Sequence, residues 1–157
     1  MNRSRYVTRR LDETDREIIA ALTENGRASM KSLGERVGLS SPSVSDRVLK
    51  IEDGGAIPGY TTIIDYKIFG YSIVAQLRIS AKFGEVQRVE QLLRDMPAVI
   101  EADYTTGADC FLARIVARDT QGLQAVVDRF QPYAAVDTAI LLSSLIAKRL
   151  PDLEGLL

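Results

Sequence analysis

The sequence predicts an α+β chain in two parts, an all-α N-terminal third followed by a strand-helix-strand unit that occurs twice. Three observations carry that expectation. Before residue 60, three short runs keep helical spacing of their apolar residues, with Gly, Asn and Ser between them. Residues 54–60 are turn-rich and mark a hinge, and two apolar strand-helix-strand patterns lie beyond it. At 157 residues, 46% of them hydrophobic, the chain can bury one sizeable core or two small ones, so pattern rather than length sets the division. The expected parts are a flexible basic arm over 1–10, a helical domain over 11–58, a linker strand and hinge over 59–70, and a second domain over 71–157.

In the first element, Leu11, Ile18, Ile19 and Leu22 are helically spaced, and a helix is expected from about residue 13 to Asn25, with Asn25-Gly26 as its stop. Asp12 or Thr14 can cap its start, and Thr14 with Glu17 three residues on matches a capping box. The second helix begins near Ser29 as N-cap, buries Leu33 and Val37, and ends at Gly38. In the third, Ser40 caps and Pro42 falls in the first turn, where a missing N–H costs nothing. Val44, Val48 and Ile51 form its inward stripe, so Ser41, Pro42, Ser43, Ser45, Asp46, Arg47 and Lys50 face outward until Gly54-Gly55 ends it.

Two helices joined by a short Gly-containing turn, the second with a small, hydroxyl-rich and basic outer face, match a helix-turn-helix with its recognition helix. Small residues at a helix N-terminus let backbone N–H groups meet a phosphate. Ser43 and Ser45 can hydrogen-bond to base donors or acceptors, and Arg47 can reach a guanine edge or a phosphate. Asp46 can accept from a cytosine amino group, cap locally, or screen Arg47. Arg27, Ser29, Lys31 and Ser40 complete the expected DNA contacts. The competing reading of the third helix is an ordinary solvent-exposed amphipathic helix.

Beyond a short extended connector at Thr61 to Asp65, Ser72 to Ser80 reads as a strand, and Val86, Val89, Leu93 and Met96 trace a helix that Pro97 ends. Val99 to Thr106 and Phe111 to Ala117 read as strands. Leu123, Val126, Val127 and Phe130 mark a second helix, and Val136 to Ile146 a last strand. Strand, helix, strand, twice over, is the ferredoxin-like split βαβ arrangement, with both helices on one face of an antiparallel sheet. The uncovered face, and the doubly apolar Ile140-Leu141-Leu142, point to packing against a second copy.

Net charge is −1, but ten Lys and Arg stand against nine Asp and Glu in residues 1–60, and ten against twelve thereafter. Arg3, Arg5, Arg9 and Arg10 concentrate the basic excess in an arm with no acid, read either as a phosphate-contacting segment or as a solvated disordered tail. The chain has no histidine and no tryptophan, which removes His-based triads, His-ligated zinc and Cys-His catalysis. Its one cysteine, Cys110, lies in an apolar run that reads as core. No catalytic residue, metal site or cofactor is expected, and no apolar run is long enough for a membrane span or a secretory signal, so the expected compartment is the cytoplasm.

The segments Leu11-Asp12-Glu13-Thr14-Asp15-Arg16-Glu17-Ile18-Ile19, Asn25-Gly26-Arg27-Ala28-Ser29, Val37-Gly38-Leu39-Ser40, Val44-Ser45-Asp46-Arg47-Val48 and Ile57-Pro58-Gly59-Tyr60, spaced without insertions, carry a likeness. In them the chain resembles the Lrp/AsnC (leucine-responsive, feast/famine) regulators. The resemblance implies a winged-type helix-turn-helix (all-α) domain joined to a ferredoxin-like βαββαβ (RAM) domain that forms homodimers and often octamers. The chain departs from the pattern in having Pro42 one place later than usual after the capping Ser, and Asp46 where a basic residue is common.

The loop Tyr104-Thr105-Thr106-Gly107-Ala108-Asp109 offers N–H and hydroxyl groups beside one carboxylate, enough for the two ends of an amino acid, although a plain β-hairpin has the same composition. In the Lrp/AsnC family a matching Thr-Gly-x-Asp loop lines an effector pocket between dimers, and Thr106, Gly107 and Asp109 carry the match, while Ala108 and Cys110 stand where bulkier residues are common. The resemblance thus implies a sequence-specific regulator that binds double-stranded, pseudo-palindromic DNA and responds to an amino acid or related metabolite. Two alternatives remain, a ligand-sensing scaffold that no longer binds DNA and a tetrapyrrole-decarboxylase-like enzyme, which the absence of histidine disfavours.

Overall fold

The structure is a computed structural model that describes residues 11–107, 109–146 and 150–151. The expected basic arm and Ala108 lie outside the described residues. The described residues divide into two compact units, one formed by residues 11–62 together with Ile146, Leu150 and Pro151, the other by those of Ile63–Leu145.

The described part of the first unit is built from three helices, α1 (Glu13–Glu24), α2 (Met30–Val37) and α3 (Ser41–Asp53). The expected Thr14-Glu17 capping box is not the one formed. Asp12 is the N-cap of α1: its Oδ1 accepts from the Asp15 N–H at 2.8 Å, and Asp15 Oδ2 accepts from the Asp12 N–H at 3.3 Å. Capping at Asp12 starts the helix two residues sooner than capping at Thr14, and so closes a turn over Asp15, which is 1% exposed. Ser29 and Ser40 cap α2 and α3 as expected, and Gly38 closes α2 in the left-handed region at φ 70°. Ile18 and Leu22 of α1, Leu33 of α2, and Val44, Val48 and Ile51 of α3 form the core.

The second unit opens with a 3₁₀ turn, Tyr66–Phe69, capped by the Asp65 carboxylate, in what the sequence suggested was plain linker. There follow β1 (Ile73–Ala81), α4 (Val86–Asp95), β2 (Val99–Tyr104), β3 (Phe111–Ala117), α5 (Thr120–Phe130) and β4 (Ala134–Ile140). The strands lie in the order β2-β3-β1-β4, every neighbouring pair antiparallel. Ala75, Leu77 and Ile79 of β1 oppose Ile115, Ala113 and Phe111 of β3, and these side chains meet Val89, Leu93, Leu123 and Phe130 of the helices in one core. The alternate residues Val74, Gln76, Arg78 and Ser80 belong to the other face, as a period of two demands.

Two strand ends differ from expectation. β2 stops at Tyr104 rather than Thr106: the Thr105 N–H makes one last cross-strand bond, to the Cys110 carbonyl at 2.8 Å, and Thr106 and Gly107 already lie in the bend beyond it. β4 runs over Ala134–Ile140 rather than Val136 to Ile146. Among the described residues it pairs with β1, Ala134 opposite Ala81 and Ile140 opposite Ala75, and past Ile140 the Leu141 N–H still donates to the Val74 carbonyl at 2.9 Å.

Candidate functional site

Gly34 sets the angle between α2 and α3. The turn returns so closely over α2 that the Leu39 N–H donates to the Gly34 carbonyl at 3.0 Å, and a Cβ at residue 34 would sit 2.4 Å from the Leu39 carbonyl oxygen. Sequence reading assigned the turn to Gly38 and passed over Gly34. Its signal was a glycine inside a helical run, which costs about 1 kcal/mol relative to alanine unless something approaches closely. α1 is tied to α2 by Arg36, whose two terminal nitrogens donate to the Glu24 carboxylate at 2.6 and 3.1 Å. That exposed pair raises the Arg36 pKa and lowers that of Glu24, through the hydrogen bonds first and then the charges.

The expected DNA-contact residues divide by what already holds them. Ser29 and Ser40 spend a hydroxyl oxygen on their own helix starts, accepting from the Ser32 and Ser43 N–H groups, and Ser43 Oγ pairs with Ser40 Oγ at 2.9 Å. Ser41 and Ser45 are half-buried, whereas Pro42, Asp46 and Lys50 are exposed on α3. Arg27 is exposed where the Asn25 side chain accepts its N–H at 3.0 Å, and Lys31 faces Glu35 across 4.0 Å of exposed helix surface. Arg47 is not on the outer arc. Its Nη1 donates to Asp12 Oδ2 at 2.7 Å and to Asp15 Oδ1 at 2.6 Å, contacts that raise its pKa further. Leu49, which sequence reading omitted, shares the outer arc with Pro42 and Asp46 and is 55% exposed. Its signal was an apolar residue out of phase with the Val44, Val48, Ile51 stripe.

Just past α3, the Tyr60 hydroxyl donates to Glu52 Oε1 at 2.7 Å. Partial burial of the phenol, then the hydrogen bond and charge of Glu52, push its pKa up to about 12. Because the folded value lies above that of a free phenol near 10, the contact stabilises fully below about pH 10 and is lost as pH rises toward 12. In an alkaline absorbance titration, one of the chain's six tyrosines should ionise about two pH units late, and Tyr60→Phe should remove that late step. A Tyr60→Phe protein that keeps it would show the contact to be absent in solution.

In the second unit, the β2–β3 loop is locked at its base by the Thr105 N–H to Cys110 carbonyl bond and by the Thr105 hydroxyl donating to the Asp109 carbonyl. Gly107, at φ 115°, occupies backbone space that a side chain resists. Asp109, the one carboxylate of the loop, is already partnered. Its Oδ1 accepts from Ser80 Oγ at 2.9 Å and its Oδ2 lies 3.9 Å from Arg78 Nε, while Arg78 Nη2 donates to Asp137 at 2.7 Å. Strand register brings these four together from β1, β4 and the loop, and the alternation of Arg78 and Ser80 along β1 was their only sequence signal. Of the other loop residues, Tyr104 is exposed and its ring meets Phe111 edge-on at 5.1 Å, and Thr106 and Gly107 are exposed. A cleft of about 640 Å³ runs beside Tyr104 between α4 and β2, with Glu90, Arg94, Glu101 and Asp103 among its lining residues. Among the described residues no three His, Cys, Asp or Glu side chains group to hold a metal ion, and no helix is long and apolar enough to cross a membrane.

A helix pair turned on a glycine, joined in one chain to a ferredoxin-like unit with a polar loop at the sheet end, defines a helix-turn-helix regulator with a ligand-binding domain. Residues 11–52 match the AsnC-type helix-turn-helix domain, and residues 74–151 the Lrp/AsnC ligand binding domain. The chain belongs to the Lrp/AsnC family of transcriptional regulators. It is 31% identical over 147 residues to the HTH-type transcriptional regulator Rv2324 of Mycobacterium tuberculosis, covering 90% of this chain and 99% of that one. The solved structure of LrpC from Bacillus subtilis superimposes with a TM-score of 0.81 at 28% identity, over 89% of this chain and all of that one. The transcriptional regulator NMB0573 of Neisseria meningitidis, solved as a complex with L-Met, shares the fold at a TM-score of 0.81 and 24% identity, over 90% and 96% of the two chains.

Proposed function

We propose that the chain is a cytoplasmic, non-catalytic homodimer, open to further assembly into an octamer, that binds a pseudo-palindromic operator and changes its assembly or its grip on DNA when an amino acid or related metabolite binds. The observation that carries the ligand half is the β2–β3 loop, where the Asp109 carboxylate, two residues past the positive-φ Gly107, meets Ser80 and Arg78 at the end of the sheet. Asp109 and Asp137 suit an ammonium group, and Arg78 and loop N–H groups suit a carboxylate, so that an amino acid meets both kinds of partner in one place. The DNA half rests on α3, whose capped N-terminus, exposed Pro42, Asp46 and Lys50 and half-buried Ser45 suit a groove, with Ser41, Arg27 and Lys31 toward the phosphates. Twofold pairing is supported by the sheet face opposite α4 and α5, where the half-buried Val74 and Leu112 lie among paired charges.

The test is a thermal-shift panel of amino acids, L-methionine among them, run beside gel shifts on DNA selected by the chain itself. A ligand that binds the folded state alone at 100 times its Kd should stabilise by about 2.7 kcal/mol. Asp109→Ala should abolish that shift while the ligand-free protein still binds DNA. Silence across the panel, or an unchanged shift in Asp109→Ala, would remove the loop from effector binding.

A further inference from the structure

We infer that Arg47 is a positioning residue, which locks the recognition helix against α1 through Asp12 and Asp15, and that operator bases are read by its neighbours rather than by Arg47 itself. The inference rests on the DNA-binding reading above.

The division of oxygens at the start of α1 carries it. Asp12 Oδ1 and Asp15 Oδ2 are used by the capping box, and the remaining oxygens, Asp12 Oδ2 and Asp15 Oδ1, both receive Arg47 Nη1, at 2.7 and 2.6 Å. One guanidinium nitrogen from α3 therefore closes a network that already fixes the first turn of α1. Asp15 has a side chain 2% exposed, so its charge has little water to turn to, and a guanidinium that swung out to DNA would strand it. Arg47 itself, 29% exposed, is drawn in against that carboxylate rather than extended. The contact spans 32 residues of sequence and lies on the flank of α3, so it sets the helix's rotation about its own axis, and with it the arc of Pro42, Asp46, Leu49 and Lys50 that is presented. The face so presented holds one cation, one anion and one leucine, a set suited to a cytosine amino group and a thymine methyl as well as to phosphate.

The experiment uses the full chain and a duplex selected by the wild type from a random library. Arg47→Ala, Arg47→Lys, Asp15→Asn and Asp12→Asn are compared for operator affinity, for base preference by reselection, and for salt dependence, at a temperature where circular dichroism shows each variant folded. Asp12→Asn keeps a good N-cap while removing the charge that faces Arg47, so it carries the test if Asp15→Asn does not fold. Expected are losses of roughly 5- to 30-fold in affinity for Arg47→Ala and Asp15→Asn, a smaller loss for Asp12→Asn, unchanged base preference and salt slope in all, and no added loss when Asp12→Asn is combined with Arg47→Ala. Arg47→Lys, which still offers a cation to both carboxylates, should recover most of the affinity with the wild-type preference. In DNA-free protein, the Arg47 guanidinium proton signals should move on Asp15→Asn. A relaxed preference at one base pair, or a salt slope lower by about one, in Arg47→Ala with both aspartate variants at wild-type affinity would place Arg47 on the DNA and overturn the inference. Absence of any selected sequence for the wild type would instead show the DNA-binding reading itself to have failed, and the positioning role with it.

Discussion

Replacing Gly34 with alanine should unfold the helix-turn-helix unit and abolish DNA binding while the second unit stays folded. An ordinary glycine inside a helix gains up to about 1 kcal/mol on becoming alanine, so the sign of the effect is diagnostic. Here the new Cβ would lie 2.4 Å from the Leu39 carbonyl oxygen and 3.5 Å from its carbon, backbone atoms that cannot rotate away. Relief requires the turn to lift off α2, which breaks the Leu39 N–H to Gly34 carbonyl bond and draws Val44 and Ile51 of α3 away from Leu33. A loss of about 3 kcal/mol or more is expected, at or beyond the usual upper range for overpacking. Because α1, α2 and α3 share one small core, that loss is a large part of what holds the unit together. Urea denaturation followed by circular dichroism should show an early transition for the helical unit and an unshifted one for the rest. A small stabilisation would mean that the turn does not approach α2 as described.

Phe130→Ala should have the complementary effect. Phe130 is 0% exposed at the end of α5 and belongs to the core between the sheet and both helices of the second unit. Truncation removes most of a buried ring and leaves a cavity lined by other core side chains, a change that costs about 3–5 kcal/mol. The m value should be unchanged if the same surface is exposed on unfolding. On the proposed pairing of two copies through this unit, Phe130→Ala should also lower operator affinity by removing the second recognition helix, and a forced covalent dimer of the first unit should restore part of it. Wild-type denaturation of Phe130→Ala would contradict the packing.

Element order, helix caps at Ser29 and Ser40, the inward stripe of α3 and the bounds of β3 could all be read from the sequence, since each depends on residues a few places apart. The Asp12 cap was legible only as one of two choices, because Asp12 and Thr14 are both good N-caps and the choice turns on burying Asp15. The β2–β3 loop was singled out through Thr106, Gly107 and Asp109, but the partners of Asp109 were not, since Ser80 is 29 residues away and Arg78 reaches across to Asp137 at a separation of 59. Likewise the outward placement of Arg47 followed from helical phase alone, and phase does not say which neighbouring helix lies beside that flank.

What the sequence by itself determined is therefore the local layer: two units, a glycine-turned helix pair, a doubled strand-helix-strand, and a polar loop after β2. Periodicity and capping are short-range, and they hold wherever a segment finds its partner. What only the tertiary structure decided is which side chains are already occupied. Arg47 is held by Asp12 and Asp15, and Asp109 by Ser80 and Arg78. These pairings depend on helix packing and strand register, which bring together groups 32 or 29 residues apart to within hydrogen-bonding distance, and no short stretch of sequence contains that information.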